Sequence, residues 1–127
     1  MADFKPSQVV ADITGNVTID EVVSNNRPLY TGSVLVSDNV LTTIVTSPAN
    51  GIEYITKIIC SGEDNARWEL YLDSVLKATK RTTDRNVEFD FPFPMKKNAA
   101  EVLDVKCIFF GSGTTAQCNA TIFGYAI

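Results

Sequence analysis

Short runs of alternating apolar and polar residues recur along this chain, while helical spacing is hard to find. In Arg67-Trp68-Glu69-Leu70-Tyr71-Leu72, the apolar positions Trp68, Leu70 and Leu72 fall on one side of a pleat. Runs of this kind mark eight strands, over residues 33–37, 40–46, 53–61, 67–72, 76–81, 87–91, 101–110 and 115–125. Breakers separate them: Ser37-Asp38-Asn39, Ser47-Pro48-Ala49-Asn50-Gly51, Gly62-Glu63-Asp64-Asn65 and Gly111-Ser112-Gly113-Thr114. So many short strands in one small domain predict an all-β fold. Its form is an antiparallel β-sandwich, jelly-roll-like, over residues 31–127.

Two hairpins can be tested against the pleat. A two-residue Asp73-Ser74 turn sets Leu70 against Lys77, which puts a charge in the core. A three-residue loop, Asp73-Ser74-Val75, pairs Leu72 with Leu76 and Leu70 with Ala78, and the pattern favours it because a one-residue slip flips every side chain. A four-residue loop at 111–114 makes a last hairpin pairing Phe110 with Thr115 and Cys107 with Cys118. One face of that hairpin carries Leu103, Val105, Cys107, Phe109, Ala116, Cys118, Ala120 and Ile122. The other carries polar residues together with Val102, Ile108, Phe110 and Phe123, so it too expects a cover.

The first thirty residues form an N-terminal extended arm in this reading. Phe4, Val9, Val10, Ile13, Val17, Ile19, Val22 and Val23 give it too much apolar content for a linker. Residues 17–23 can form a further strand ending at Ser24-Asn25-Asn26-Arg27-Pro28. The arm either folds back on its own domain or reaches a neighbouring subunit. Phe89-Asp90-Phe91-Pro92-Phe93-Pro94 needs burial for its phenylalanines and a stop to pairing at its prolines, which points to an edge or a subunit contact.

Composition sharpens this picture. The 127 residues fit one domain, with 45% hydrophobic and only 20% charged positions. Mean hydropathy is slightly positive, at +0.05. These values exclude intrinsic disorder, and the apolar runs are too short for a membrane helix. The net charge of −4 argues against nucleic acid as a partner. With no histidine, imidazole triads, imidazole metal sites and the usual neutral-pH base are all removed. Met1-Ala2-Asp3-Phe4-Lys5-Pro6 shows neither a basic nor an apolar leader region, so no secretory signal is expected. Cys60, Cys107 and Cys118 form no C-x-x-C, and neither metal nor another cofactor is expected. Cys107 and Cys118 read as buried thiols or as a cross-strand disulfide, with reduced thiols favoured in the absence of a signal.

Little here reads as catalytic. Asp84, Glu88 and Asp90 come close together, but Glu88 and Asp90 alternate with Val87, Phe89 and Phe91 and read as a solvated strand face. Asp64 lacks the ligand spacing of a calcium loop. Lys80-Arg81 with Arg85, and Lys96-Lys97, read as loop charge, with an acidic or phosphate partner as the sharper alternative. Gly111-Ser112-Gly113 joins strands and opens no helix, so it cradles no phosphate. Asn16-Val17-Thr18 and Asn119-Ala120-Thr121 match a glycosylation sequon without a secretory context. Trp68 belongs to the core, and Tyr71 on the opposite face is a candidate for stacking on sugar.

Residues 40–127 resemble the small jelly-roll domains of virion proteins of tailed bacteriophages, such as capsid decoration proteins and tail or fibre modules. The stretches that carry the resemblance are Leu41-Thr42-Thr43-Ile44-Val45-Thr46-Ser47-Pro48-Ala49-Asn50-Gly51, Tyr54-Ile55-Thr56-Lys57-Ile58-Ile59-Cys60-Ser61, Trp68-Glu69-Leu70-Tyr71-Leu72-Asp73 and Ala120-Thr121-Ile122-Phe123-Gly124-Tyr125. Where that pattern often has Asp-Gly, this chain has Asp73-Ser74. The resemblance implies a non-enzymatic protein of the virion, commonly a homotrimer, whose arm binds neighbours in a capsid or tail. The partner-binding candidates are Phe4, Val9, Val10, Ile13, Val17, Ile19, Phe110 and Phe123. A carbohydrate-binding module using Tyr71 is the alternative.

Overall fold

A computed structural model describes residues 27–82 and 84–126, all of whose regular structure is β. The strands are β1 (Arg27–Ser37), β2 (Thr42–Ser47), β3 (Glu53–Ser61), β4 (Ala66–Leu72), β5 (Val75–Arg81), β6 (Asn86–Lys97), β7 (Leu103–Phe109) and β8 (Thr115–Ala126). They form two four-stranded antiparallel sheets, ordered β1-β8-β3-β6 and β2-β7-β4-β5. The pairs β1·β8, β2·β7, β3·β6 and β4·β5 are those of one long hairpin with its tip at β4–β5, rolled so that its strands share out between two sheets. This is the jelly roll expected from the strand pattern.

Alternation decides the packing. β7 reads buried, half-buried, buried throughout, with Leu103, Val105, Cys107 and Phe109 inside. β8 alternates as well, with Ala116, Cys118, Ala120 and Ile122 buried between outward residues that are exposed from Thr115 to Asn119. Between the sheets these meet Val36, Ile55, Ile58, Cys60, Trp68, Leu70 and Phe89. Each large side chain removed from water here contributes roughly 1.5–3 kcal/mol.

Several local expectations are corrected. β7 and β8 are not a hairpin: β7 pairs with β2 and β4, β8 with β1 and β3, and Cys107 lies beside Thr42 and Trp68. Rolling the long hairpin sends the last strand back to the first, a long-range pairing that short-range turn patterns cannot disclose. Consequently Phe110 and Phe123 lie on opposite outer faces of the sandwich instead of sharing one. At the tip, the chain makes the two-residue Asp73-Ser74 turn after all, with φ of 53° and 69°. Leu72 pairs with Val75 and Tyr71 with Leu76, while Leu70 still pairs with Ala78 because Lys77 is bulged out of the ladder. Positive φ at both turn residues matches the twist of the strands, and the bulge restores the parity that the turn alone breaks.

β6 runs through its prolines to Lys97. Its ladder with β3 stops at Asp90, opposite Lys57, and resumes at Met95, opposite Ile55. As an edge strand it tolerates prolines within that irregular stretch. β1 begins at Arg27 and takes in residues 27–30, which the sequence reading gave to the arm. The arm positions Phe4, Val9, Val10, Ile13, Val17 and Ile19, and the strand expected at 17–23, lie outside the described residues.

Candidate functional site

One end of the sandwich holds a buried polar cluster. Lys97, at the last position of β6, is 0% exposed. Its register partner on β3 is Glu53, also buried, and the ammonium lies 3.8 Å from the Glu53 carboxylate. Lys97 Nζ donates to the carbonyls of Pro48 at 2.8 Å, Glu101 at 3.0 Å and Gly51 at 3.5 Å. Glu53 also accepts from Ser47 Oγ and, at 2.6 Å, from the Tyr30 hydroxyl. Burial and the hydrogen bond to Glu53 push the Tyr30 hydroxyl above its ordinary pKa. The ammonium thus ties the β2–β3 and β6–β7 loops together with its donors consumed, which makes a structural tie and not a nucleophile. Reading Lys96-Lys97 as solvated loop charge is corrected for Lys97. The position shares the parity of the inward-facing Met95, a signal visible once β6 is carried past its prolines.

The acid–base candidates do not converge on a reacting centre. Glu88 and Asp90 share the exposed face of β6, as expected, and Asp84 sits in the preceding loop. Asp64 Oδ1 accepts the Arg85 backbone N–H at 2.8 Å, and among the described residues no three metal-ligating groups gather. The basic patch is largely occupied within the fold. Lys80 Nζ donates to the Glu88 carbonyl at 2.8 Å, and Arg85 lies 4.0 Å from Glu63.

At the opposite end, Asp38 pins the β7–β8 loop. Its carboxylate accepts the backbone N–H groups of Gly111 at 2.6 Å and Gly113 at 2.7 Å. The Gly113 amide, followed by that of Gly111, holds this carboxyl below its ordinary pKa. A folded-state value below the unfolded one means that the contribution is complete above the unfolded value of about 3.9 and is lost as pH falls through the folded value. In an NMR titration the Gly111 and Gly113 amides should therefore shift together with a midpoint below about 3.9. A midpoint at or above that value contradicts the contact.

Two outer phenylalanines lie beneath cations of their own sheet. Arg67 and Arg81 lie over the Phe110 ring at 5.8 and 5.1 Å, and Lys57 lies over Phe123 at 5.2 Å. Tyr71 is half-buried, with its hydroxyl donating to Glu69 and Lys106 lying 4.7 Å from its ring centroid. Trp68 is fully buried, as expected.

Leu35, Val40, Leu41 and Ile59 stay exposed, and the β5–β6 edge adds the most exposed large apolar side chain of the described residues. Phe93 is 90% exposed, and Val75 and Leu76 are exposed as well. β5 and β6 are the edge strands of their respective sheets, and they meet where Lys80 bonds Glu88. From that contact β5 traced backward and β6 traced forward head for the same end of the molecule. Four residues take the first to Leu76 and five take the second to Phe93, or about 13 and 16 Å. The apolar residues thus share one side of the sandwich.

Cys107 and Cys118 do approach, though not as paired hairpin neighbours. Their sulfurs lie 3.9 Å apart between the sheets, and all three cysteines are free and buried. Burial raises the pKa of the Cys60 thiol well above its ordinary value.

No protein-family model and no curated protein sequence matches this chain. Among solved structures it is similar to the crystal structure of FlhE, at 13% sequence identity and a TM-score of 0.44, covering 77% of this chain and 96% of that one. Likeness at that level adds nothing to the assignment of fold or function.

Proposed function

We propose that this chain is a non-enzymatic structural protein of a tailed-phage virion. Its jelly-roll domain stabilises a capsid or tail assembly by burying the N-terminal arm and the β5–β6 edge against neighbouring chains. A homotrimer is the favoured state. The observation that carries the reading is Phe93, held in water between two prolines of an edge strand. Covering that ring contributes roughly 1.5–3 kcal/mol to an interface, and its prolines stop a partner strand from pairing indiscriminately. The edge is favoured over the outer sheet faces because Phe110 and Phe123 are half-buried on opposite sides beneath cations, whereas Phe93 is 90% exposed. The resemblance to phage jelly-roll proteins and the apolar content of residues 4–23 support the same reading.

Deleting residues 1–23 tests the arm. Incorporation into particles is expected to be lost while the sandwich keeps its melting transition; full incorporation of the truncated chain contradicts the arm's role.

Carbohydrate binding is the second reading, favoured by a different surface from the one around Tyr71. The outer face of β8 carries Gln117, Asn119 and Thr121, bonded to Ser33 and Thr31 of β1. Farther along β8, Tyr125 stacks on Tyr54 at 5.3 Å. Hydroxyls and amides beside an aromatic pair are the groups that sugars use. Glycan-array binding that disappears in Tyr125→Ala supports this reading, and an empty array removes it.

A further inference from the structure

The two sheets carry one opposed pair of sulfurs at their centre. Cys107 points inward from β7 and Cys118 from β8, both fully buried, with Sγ atoms 3.9 Å apart. A disulfide requires about 2.05 Å, so the sulfurs must close by about 1.9 Å. The Cys118 sulfur packs closely against Gly62, where a Cβ would sit 3.0 Å from it. The third thiol is differently placed. Cys60 pairs with Ala120, two residues along from Cys118 on the neighbouring strand of the same sheet. Its side chain points the same way as that of Cys118, whereas Cys107 faces Cys118 from the opposite sheet.

We propose that Cys107 and Cys118 form an inter-sheet cross-linking site, closed to a disulfide by exchange with a low-molecular-weight disulfide. One cysteine, as its thiolate, attacks a sulfur of the reagent, forming a mixed disulfide and releasing one small thiolate. The other cysteine, deprotonated, then attacks the protein sulfur of that mixed disulfide and expels the second small thiolate. Overall two protein thiols are oxidised, one external disulfide is reduced to two thiols, and the two protons end on those thiols. Because the core is sealed, exchange takes place as the sheets close during folding. The bond spans a short loop between strands that share no ladder, so it joins the sheets where no backbone hydrogen bonds do.

The test is refolding of the full chain from urea in mixed oxidised and reduced glutathione, then alkylation under denaturing conditions and intact-mass analysis. The expected result is one adduct per chain instead of three, and a cross-linked peptide containing Cys107 and Cys118. Melting should rise by roughly 10 °C relative to the dithiothreitol-treated protein. Cys60→Ala should keep the bond and the rise, and Cys107→Ser should lose both. Should Cys107→Ser fail to fold, peptide mapping of the unaltered chain and of Cys60→Ala still decides. Three adducts at every glutathione ratio, or a bond that includes Cys60, overturns the proposal.

Discussion

Replacing Lys97 with methionine is expected to destabilise the sandwich by about 3–5 kcal/mol, measured as a fall in the urea midpoint. The ammonium is fully buried against Glu53 and three loop carbonyls. Methionine fills similar space but leaves a buried carboxylate facing acceptors, with only Ser47 and Tyr30 to donate to it. An uncompensated buried charge costs more than the pair ever contributed in net terms, because desolvation has already consumed most of the Coulombic gain. Combining Lys97→Met with Glu53→Gln should therefore recover part of the loss, a coupling of about 1–3 kcal/mol. The neighbouring Lys96 is exposed, and Lys96→Met should change stability by no more than about 0.5 kcal/mol. Equal effects at the two lysines would show that the buried tie does not exist.

Adding a single methyl at Gly124 is expected to cost about 3 kcal/mol, at the upper end of overpacking penalties. Gly124 sits in β8 between Arg27 of β1 and Ile55 of β3. A Cβ built there would lie 2.0 Å from the Tyr54 carbonyl oxygen and 3.1 Å from the Ile55 Cα. Both obstacles are backbone, so no side chain can swing aside. β3 is irregular at this point, between Ile55 and Lys57, and the irregularity brings its carbonyl over the glycine. Gly124→Ala must push β3 away from β8 in the middle of the sheet, and urea unfolding should show it. By contrast, Gly113→Ala meets no neighbour, so its cost should come only from φ of 89°. A Gly124→Ala protein as stable as the parent would contradict the close approach.

What the sequence made legible is the local part of this structure. Period two and the breakers placed all eight strands, and β3 occupies residues 53–61 at both ends as read. Pairing between distant strands was not legible. Nothing short-range in Thr115–Ala126 says that it returns to β1, so Cys107 and Cys118 were brought together for the wrong reason. Bulges defeated parity arguments twice. Lys77 slips out of β5 and makes the two-residue turn possible. The irregular stretch after Asp90 turns Phe93 outward although its alternation points inward. Lys97 was hidden because a lysine in a proline-containing segment reads as solvated loop, and only its register opposite Glu53 reveals a buried pair. The Phe89–Phe93 segment was legible as an edge because prolines are confined to edges whatever the fold.

Coverage of the exposed β5–β6 edge by neighbouring chains is the heart of the proposed function. Sedimentation velocity of the full chain beside Phe93→Ser tests it, because Phe93 is 90% exposed in the single chain and its replacement should leave the sandwich folded, as circular dichroism checks. The parent is expected to sediment as an oligomer, a trimer by preference, and Phe93→Ser to dissociate toward monomer. A parent that sediments as a monodisperse monomer at every concentration, or a Phe93→Ser chain that assembles as the parent does, would contradict it.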